Sequence, residues 1–174
     1  MRILAIDPGP EKSAFVIYAP EKYITDKGIV DNVTILQVLQ FGKADILVLE
    51  MVESFGMPVG KSVFETCLWI GRFIQAWMPQ EYCLLYRSQV KLHLCNSRQA
   101  KDSNIRQAIL DRFPLIGGGK TPQIGNKSKL GLLYGVKKDM WSALALAITW
   151  CEMQNKKVGD AFYQTGGAGH IKKE

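Results

Sequence analysis

Three acidic residues stand where side chains could converge on one edge of a fold. Asp7 ends a short apolar run before a Pro-Gly turn, Glu50 ends the longer run ADILVLE, and Asp139 precedes the apolar segment WSALALAITW. Hard divalent cations such as Mg²⁺ and Mn²⁺ prefer oxygen ligands of this kind. Paired metal ions can activate water and stabilise the leaving oxygen in phosphodiester cleavage. Together, the three carboxylates therefore indicate a metal site with hydrolytic chemistry.

Each acid also has an ordinary structural explanation. Asp7 stands in a sequence typical of a turn, Glu50 could be a charge at the rim of a sheet, and Asp139 could only cap a helix. Taken singly, these explanations are the better ones. Two acids that end apolar strands, together with a third at the start of a buried helix, favour the metal site.

Alternating segments supply the elements that must position these acids. Short apolar runs bounded by turn residues predict strands, and apolar residues at helical spacing predict helices. The predicted strands cover 2–7, 12–18, 22–30, 44–50 and 82–86. The predicted helices cover 33–42, 62–78, 87–94, 104–113 and 139–154. Strands come first and helices alternate afterwards, which predicts an α/β fold with a mixed sheet flanked by helices.

The remaining segments predict a long loop, one domain and a tail. Residues 114–137 are rich in Gly and Lys without a period, which predicts a long loop that is functional or disordered. We expect one domain over 1–156 and a flexible tail over 157–174.

The cysteines and the apolar runs predict the chemical setting of the protein. The four cysteines lack metal-finger spacing, so we expect them to be thiols. Because no apolar run reaches spanning length, we expect a soluble cytoplasmic protein with no membrane partner.

Basic residues are concentrated in one third of the chain. From Tyr86 to Lys138 there are eleven Lys or Arg and two acids, whereas the remainder holds eleven basic and fourteen acidic residues. A cationic region of this kind suits the phosphate backbone of a nucleic acid, because each neutralised phosphate releases counterions. The alternative, a solvated basic surface that only aids solubility, stays open on charge alone.

Four blocks resemble, in order, the conserved blocks of RuvC-type Holliday junction resolvases. They are AIDPGP at 5–10, LVLEMVESFGMPVGKSVFETCLWIGRF at 47–73, SQVKLHLCNSRQAKDSNIRQAILDRF at 88–113 and YGVKKDMWSALALAITW at 134–150. The similarity is strongest to the phage and prophage branch and spans nearly the whole chain except its tail. It implies a ribonuclease H-like fold with a mixed five-stranded sheet, in the cytoplasm of a bacterium or a phage-infected host.

The resemblance also implies a set of metal ligands. Asp7 matches the ligand that bridges two metal ions, while Glu50 and Asp139 match two further acidic ligands; Mg²⁺ is the implied cofactor, with Mn²⁺ as a substitute. Three residues after Asp139 the family usually has a second acid, and here that position is Ser142. Spacing of three keeps both side chains on one helix face, so Ser142 can point into the site without supplying charge. Another acid could substitute, and the candidates are Glu53, Glu65 and Glu152.

The same four blocks also imply which residues contact DNA. Lys101 matches a basic residue near the scissile region and is a candidate catalytic residue. The candidate DNA contacts are Phe55, Arg98, Lys101, Arg106, Lys120, Lys127 and Lys129. Phe55, with Met57, could wedge between bases at a junction centre, although it could equally belong to the core. Because a four-way junction offers two equivalent strands, the resemblance implies a homodimer, and the large apolar residues of the helix at 62–78 could supply its interface.

The expected activity is structure-selective endonucleolytic cleavage of branched DNA such as a Holliday junction, by metal-dependent hydrolysis. One alternative is a related ribonuclease H-fold nuclease that acts on flaps or RNA–DNA structures. Another is a branched-DNA-binding protein with a weakened active site, which Ser142 motivates.

Overall fold

A mixed five-stranded sheet runs through the centre of the chain. The structure is a computed structural model that describes residues 1–21, 23–54, 56 and 58–165. Its strands are β1 (Ile3–Asp7), β2 (Lys12–Ala19), β3 (Tyr23–Asp31), β4 (Ile46–Met51) and β5 (Tyr82–Tyr86). They lie in the order β3-β2-β1-β4-β5, with the first three strands antiparallel and both β4 and β5 parallel to β1. The predicted mixed five-stranded sheet is confirmed.

Five helices flank this sheet, close to their predicted positions. They are α1 (Asn32–Phe41), α2 (Lys61–Trp77), α3 (Arg87–Cys95), α4 (Asp102–Leu110) and α5 (Met140–Thr165). The predicted end of α5 near Gln154 is wrong, because the helix continues to Thr165. The domain boundary at residue 156 stays a prediction, and residues 166–174 of the predicted tail lie outside the described residues.

Strand alternation divides the apolar residues between two cores. In β1, Ile3 and Ala5 face the core beneath α3, α4 and α5, whereas Leu4 and Ile6 face the core beneath α1 and α2. Successive side chains of a strand point to opposite faces, so a continuous apolar run is needed where both faces are covered. This requirement explains the unbroken apolar character of β1 and β4.

Helix α5 is buried on all sides from Ala143 to Thr149. Every residue from Ala143 to Ile148 is at most 3% exposed. A helix that is apolar all round belongs inside a core, and its alanines allow close approach to the sheet. The N-terminus of α5 is thereby fixed near the carboxyl ends of β1 and β4. No helix among the described residues is long and apolar enough to cross a membrane.

The segment at 114–138 is an ordered loop. The amide of Gly118 donates to the carbonyl of Lys129 at 2.9 Å, and the amide of Gly131 donates to the carbonyl of Ile124 at 2.9 Å. Leu133 anchors the segment in the core, where it is fully buried. Of the two outcomes predicted for this segment, disorder is therefore wrong.

The apolar excess of α2 is divided between core and surface. Trp77 and Phe73 are buried, and Trp69 is partly buried against Phe73. Phe64 and Leu68 are instead exposed, at 65% and 64%. Any interface on this helix would therefore use Phe64 and Leu68 rather than Trp77.

Core burial of α2 leads to a stability prediction. Phe73→Ala removes a fully buried ring and should lower the free energy of unfolding by about 3–5 kcal/mol. Phe41→Ala is the matched control, since Phe41 is 73% exposed and should cost far less. Urea denaturation followed by circular dichroism measures both. Equal losses in the two variants would contradict the assignment of Phe73 to the core.

Candidate active site

A buried polar network fixes the turn that carries Asp7. The Gly9 amide donates to Ser13 Oγ at 3.2 Å, and the Ser13 hydroxyl donates to Asn32 Oδ1 at 2.6 Å. Asn32 Nδ2 closes the ring by donating to the Gly9 carbonyl at 2.9 Å. A side chain at position 9 would collide with the carbonyl oxygen of Lys12, so glycine is required there. The network therefore holds the turn immediately after Asp7 in one conformation.

Parallel strands place Glu50 beside Asp7. The register of β1 and β4 pairs Ile6 with Leu49, and Asp7 and Glu50 are the next residues of each strand. The carboxyl ends of parallel strands share one edge of the sheet. Both acids are therefore delivered to the same edge, as the sequence predicts.

Crowding at this edge raises the pKa of the Asp7 carboxyl to about 7. Burial is the largest cause, followed by the negative charges of Glu50 and Asp139. A hydrogen bond with Ser142 and the charge of Arg87 act in the opposite direction. Burial also raises the pKa of Glu50, although the Arg87 charge opposes it.

The start of α5 supplies the other two predicted ligands. The Asp139 carbonyl accepts a hydrogen bond from the Ala143 amide at 3.1 Å, so Asp139 lies immediately before the helix and is exposed. Ser142 is half-buried and hydrogen-bonded to Asp7. The structure thus brings Asp7, Glu50, Asp139 and Ser142 together, and their roles as metal ligands stay predictions.

Arg87 is the residue of this site that the sequence reasoning missed. Its Nη1 lies 3.6 Å from Glu50 Oε2, and its Nη2 donates to Asp102 Oδ1 at 2.6 Å. Arg87 is the first residue of α3 and follows β5, which runs parallel to β4 with Met51 paired to Tyr86. The position of an arginine directly after a third parallel strand was the available signal.

Arg87 lines two cavities at this site. The first has a volume of about 270 Å³ and is lined by Asp7, Pro8, Glu50, Met51, Val52, Glu53, Thr66 and Arg87. The second has a volume of about 460 Å³ and is lined by Arg87, Asp102, Ser103, Ile105, Arg106, Lys138, Asp139, Trp141 and Ser142. The first cavity is rich in carboxylates, whereas the second also contains cationic and aromatic side chains suited to a nucleotide.

The donor chemistry of the first cavity suits one divalent cation. Glu50 Oε2 and Glu53 Oε2 are both buried without a hydrogen-bond partner, and such oxygens fit an ion or its water. Among the described residues, no group of three acidic, histidine or cysteine side chains is spaced to ligate one metal ion directly. An ion held by these carboxylates would therefore keep several waters, as Mg²⁺ does.

Of the three acids that could replace the missing carboxylate, Glu53 lies nearest. It lines the cavity of Asp7 and Glu50, and its Oε1 accepts a hydrogen bond from Ser88 at 2.9 Å. Glu65 forms an ion pair with Lys61 along α2. Glu152 is held elsewhere, because Arg112 donates to its Oε1 at 2.7 Å and His93 lies 2.8 Å from its Oε2.

The predicted DNA-contacting side chains that the structure describes are exposed, and one of them lines the second cavity. Arg106 lines that cavity with its guanidinium 4.7 Å from the Trp141 ring centroid, while Lys101 is exposed just before α4 and lines neither cavity. The other described members are also exposed, namely Arg98, Lys120, Lys127 and Lys129. Phe55 and Met57 lie outside the described residues.

Solved structures share this arrangement of strands and helices. Thermus thermophilus RuvC superposes with a TM-score of 0.63 and 14% identity over 88% of this chain and 97% of that chain. The chain has a RuvC fold. The predicted ribonuclease H-like architecture is confirmed by this match. No protein-family model matches the sequence, and no curated protein matches it.

Two further structures that match this chain contain Holliday junction DNA. T. thermophilus RuvC in complex with a Holliday junction substrate gives a TM-score of 0.61 at 16% identity, over 86% of this chain and 92% of that chain. A fowlpox virus resolvase in complex with Holliday junction DNA gives 0.50 at 14% identity, over 88% of this chain and 99% of that chain.

The pKa of Asp7 predicts an unusual dependence of stability on pH. Because the folded-state pKa of about 7 exceeds the ordinary 3.8, the folded state retains a proton that the unfolded state has lost. Wild-type stability should therefore fall as pH rises through this window in metal-free buffer. Asp7→Asn should make that fall smaller and be more stable above pH 7, by on the order of 2–4 kcal/mol.

Urea denaturation in EDTA at about pH 5 and pH 8 measures the difference. Asp26→Asn is the matched control, since Asp26 is exposed on β3 and should leave the wild-type pH dependence in place. Parallel pH dependences of Asp7→Asn and wild type would contradict the assignment.

Proposed function

We propose that the protein is a structure-selective endodeoxyribonuclease that resolves Holliday junctions or other branched DNA by divalent-metal-dependent hydrolysis. The observation that carries this proposal is the meeting of Asp7, Glu50, Asp139 and Ser142 at the carboxyl edge of a RuvC fold. The junction complexes of two proteins with this fold support the choice of substrate. Such an activity belongs in the cytoplasm of a bacterium or of a phage-infected host.

The proposed chemistry assigns each part of the site a task. Asp7, Glu50 and Asp139 would hold Mg²⁺ or Mn²⁺, with Ser142 contributing a neutral oxygen. Such an ion activates water and stabilises the leaving oxygen when bound. The 3.6 Å contact with Arg87 limits the freedom of the Glu50 carboxylate, and the hydrogen bond with Ser142 orients Asp7. The products would be 5′-phosphate and 3′-hydroxyl ends.

One observation favours a second candidate function. Ser142 cannot supply the negative charge of a fourth carboxylate, and among the described residues no group of three acidic, histidine or cysteine side chains is spaced to ligate a metal ion directly. A site of this kind could bind branched DNA and cleave it poorly or not at all. The second candidate is therefore a branched-DNA-binding protein with a weakened site.

Cleavage of defined DNA structures separates the candidates. With Mg²⁺ or Mn²⁺, wild type should nick a labelled four-way junction symmetrically and cut a flap, an RNA–DNA structure and a linear duplex more slowly. Asp7→Asn should abolish nicking because it removes a ligand, and Asp26→Asn should not, because Asp26 is remote on β3. Junction binding without nicking in wild type would favour the binding protein, and faster flap or RNA–DNA cleavage would favour a related nuclease.

The ordered loop at 114–138 should supply part of the affinity for DNA. Lys127 and Lys129 lie at its exposed turn, where Asn126 Oδ1 accepts hydrogen bonds from the amides of Ser128 and Lys129 at 3.1 and 2.9 Å. A fixed turn holds both lysines close together without further ordering. We expect both to contact phosphates, as we do for Arg98, Lys101, Arg106 and Lys120.

Replacing both loop lysines should lower the affinity for DNA and make that affinity less dependent on salt. For Lys127→Gln/Lys129→Gln, the slope of log K against log[salt] should become shallower by about 2, since each phosphate contact contributes about 0.9. Fluorescence anisotropy of a labelled junction over a salt series measures this slope. Lys43→Gln is the control, because Lys43 is exposed before β4 at the opposite end of the strand. An unchanged slope in the loop variant would exclude these lysines from the contact.

A homodimer would place one site on each of two equivalent junction strands. The exposed Phe64 and Leu68 of α2 supply apolar surface for such an interface. Leu68→Glu should therefore convert dimers into monomers in light scattering after gel filtration. Val33→Glu is the control, since Val33 is 59% exposed on α1. A dimer that survives Leu68→Glu would place the interface elsewhere.

A further inference from the structure

The guanidinium of Arg87 lies among the acidic residues of the site, and not all of its N–H donors are used. It is 23% exposed, and its Nη1 is buried without a hydrogen-bond partner. The 3.6 Å separation from Glu50 Oε2 is an ion-pair distance that is too long for a good hydrogen bond. Its one short contact, to Asp102, involves a carboxylate that is 80% exposed, and ion pairs with exposed partners are weak.

Arg87 also lies between the two halves of the site. It borders the cavity of Asp7 and Glu50 and also that of Asp139 and Ser142. A DNA strand whose scissile phosphate reached Asp7 from the second cavity would meet this guanidinium. The planar fork of arginine matches phosphate oxygens in a bidentate manner, which an ion pair with Glu50 alone does not require.

The positive charge of Arg87 affects how many metal ions the site can hold. The charged groups that act most strongly on Asp7 are Glu50, Asp139 and Arg87. The side chains that line the two cavities include five carboxylates and three cationic groups, so their formal charge is −2, which one divalent ion neutralises. The carboxylates are those of Asp7, Glu50, Glu53, Asp102 and Asp139, and the cationic groups are those of Arg87, Arg106 and Lys138. A second ion would leave an excess positive charge, and the helix position that could have supplied another carboxylate is Ser142.

We propose that Arg87 substitutes for a second metal ion, so that this site uses one divalent cation and contacts the scissile phosphate through the Arg87 guanidinium. The inference rests on the proposed nuclease function and adds to it the metal stoichiometry and a catalytic residue. Arg87 and Ser142 then form a matched pair, in which a fixed cation accompanies the loss of an acid. Restoring the acid should make a second ion possible only when the arginine is removed.

Metal binding tests this pairing without any DNA. Mn²⁺ is titrated calorimetrically into metal-free wild type, Arg87→Gln, Ser142→Asp and the double variant. Wild type should bind one ion per chain, Arg87→Gln should bind one ion as tightly or more tightly, and the double variant should bind two. Two ions in wild type, or weaker binding in Arg87→Gln, would overturn the proposal, since weaker binding means that Arg87 only holds Glu50 in place.

Junction cleavage supplies the second measurement. Arg87→Gln should lower kcat roughly 100-fold, as loss of a charge-stabilising donor does, with little change in KM. Arg87→Lys should recover part of the rate because it keeps the charge without the fork. Ser142→Asp should raise the rate in the Arg87→Gln background and not in wild type. A wild-type kcat for Arg87→Gln, or no recovery in the double variant, would overturn the proposal.

The two proposals fail in distinguishable ways. If wild type nicks no branched DNA, the proposed function is wrong, and the Mn²⁺ stoichiometries still decide the role of Arg87. Thermal unfolding in EDTA checks that each variant is folded. If Arg87→Gln does not fold, Arg87→Lys takes its place, and it should still bind one ion while cleaving more slowly than wild type. Lys43→Gln, remote from the site, should match wild type throughout.

Discussion

The parallel pairing of β1 with β4 is the constraint on which the site depends. It forces Asp7 and Glu50 to end side by side, although burial opposes the ionisation of both and the charge of Glu50 also opposes that of Asp7. The surrounding elements counter this cost locally, because Ser142 reaches Asp7 from α5 and Arg87 reaches Glu50 from α3. The turn after Asp7 is meanwhile locked by Ser13 and Asn32 from two other elements.

Much of this arrangement could be predicted from sequence because it depends on local patterns. Apolar runs that end in an acid gave both the strands and the edge to which Asp7 and Glu50 belong. The buried character of α5 followed from its unbroken apolar segment, which also placed Asp139 at a helix start. The notable serine at position 142 came from a resemblance rather than from any spacing rule.

What could not be predicted depends on contacts between distant segments. Arg87 directly follows a predicted strand, but only the parallel pairing of β5 with β4 brings it to the edge that holds Glu50, and no local pattern specifies that pairing. Glu53 and Glu152 looked alike as spare acids, and only their partners, Ser88 for one and Arg112 with His93 for the other, separate them. The loop at 114–138 was ambiguous because backbone hydrogen bonds, which leave no compositional trace, are what order it.

That loop has a consequence for how the protein can evolve. Two segments of the loop meet where Gly125 approaches Gly131, and a side chain at either position would collide with backbone atoms. Gly125 and Gly131 therefore tolerate no side chain, whereas the side chains of Lys127 and Lys129 between them are exposed. The charge carried by this turn can therefore change among related sequences while the backbone beneath it keeps its shape.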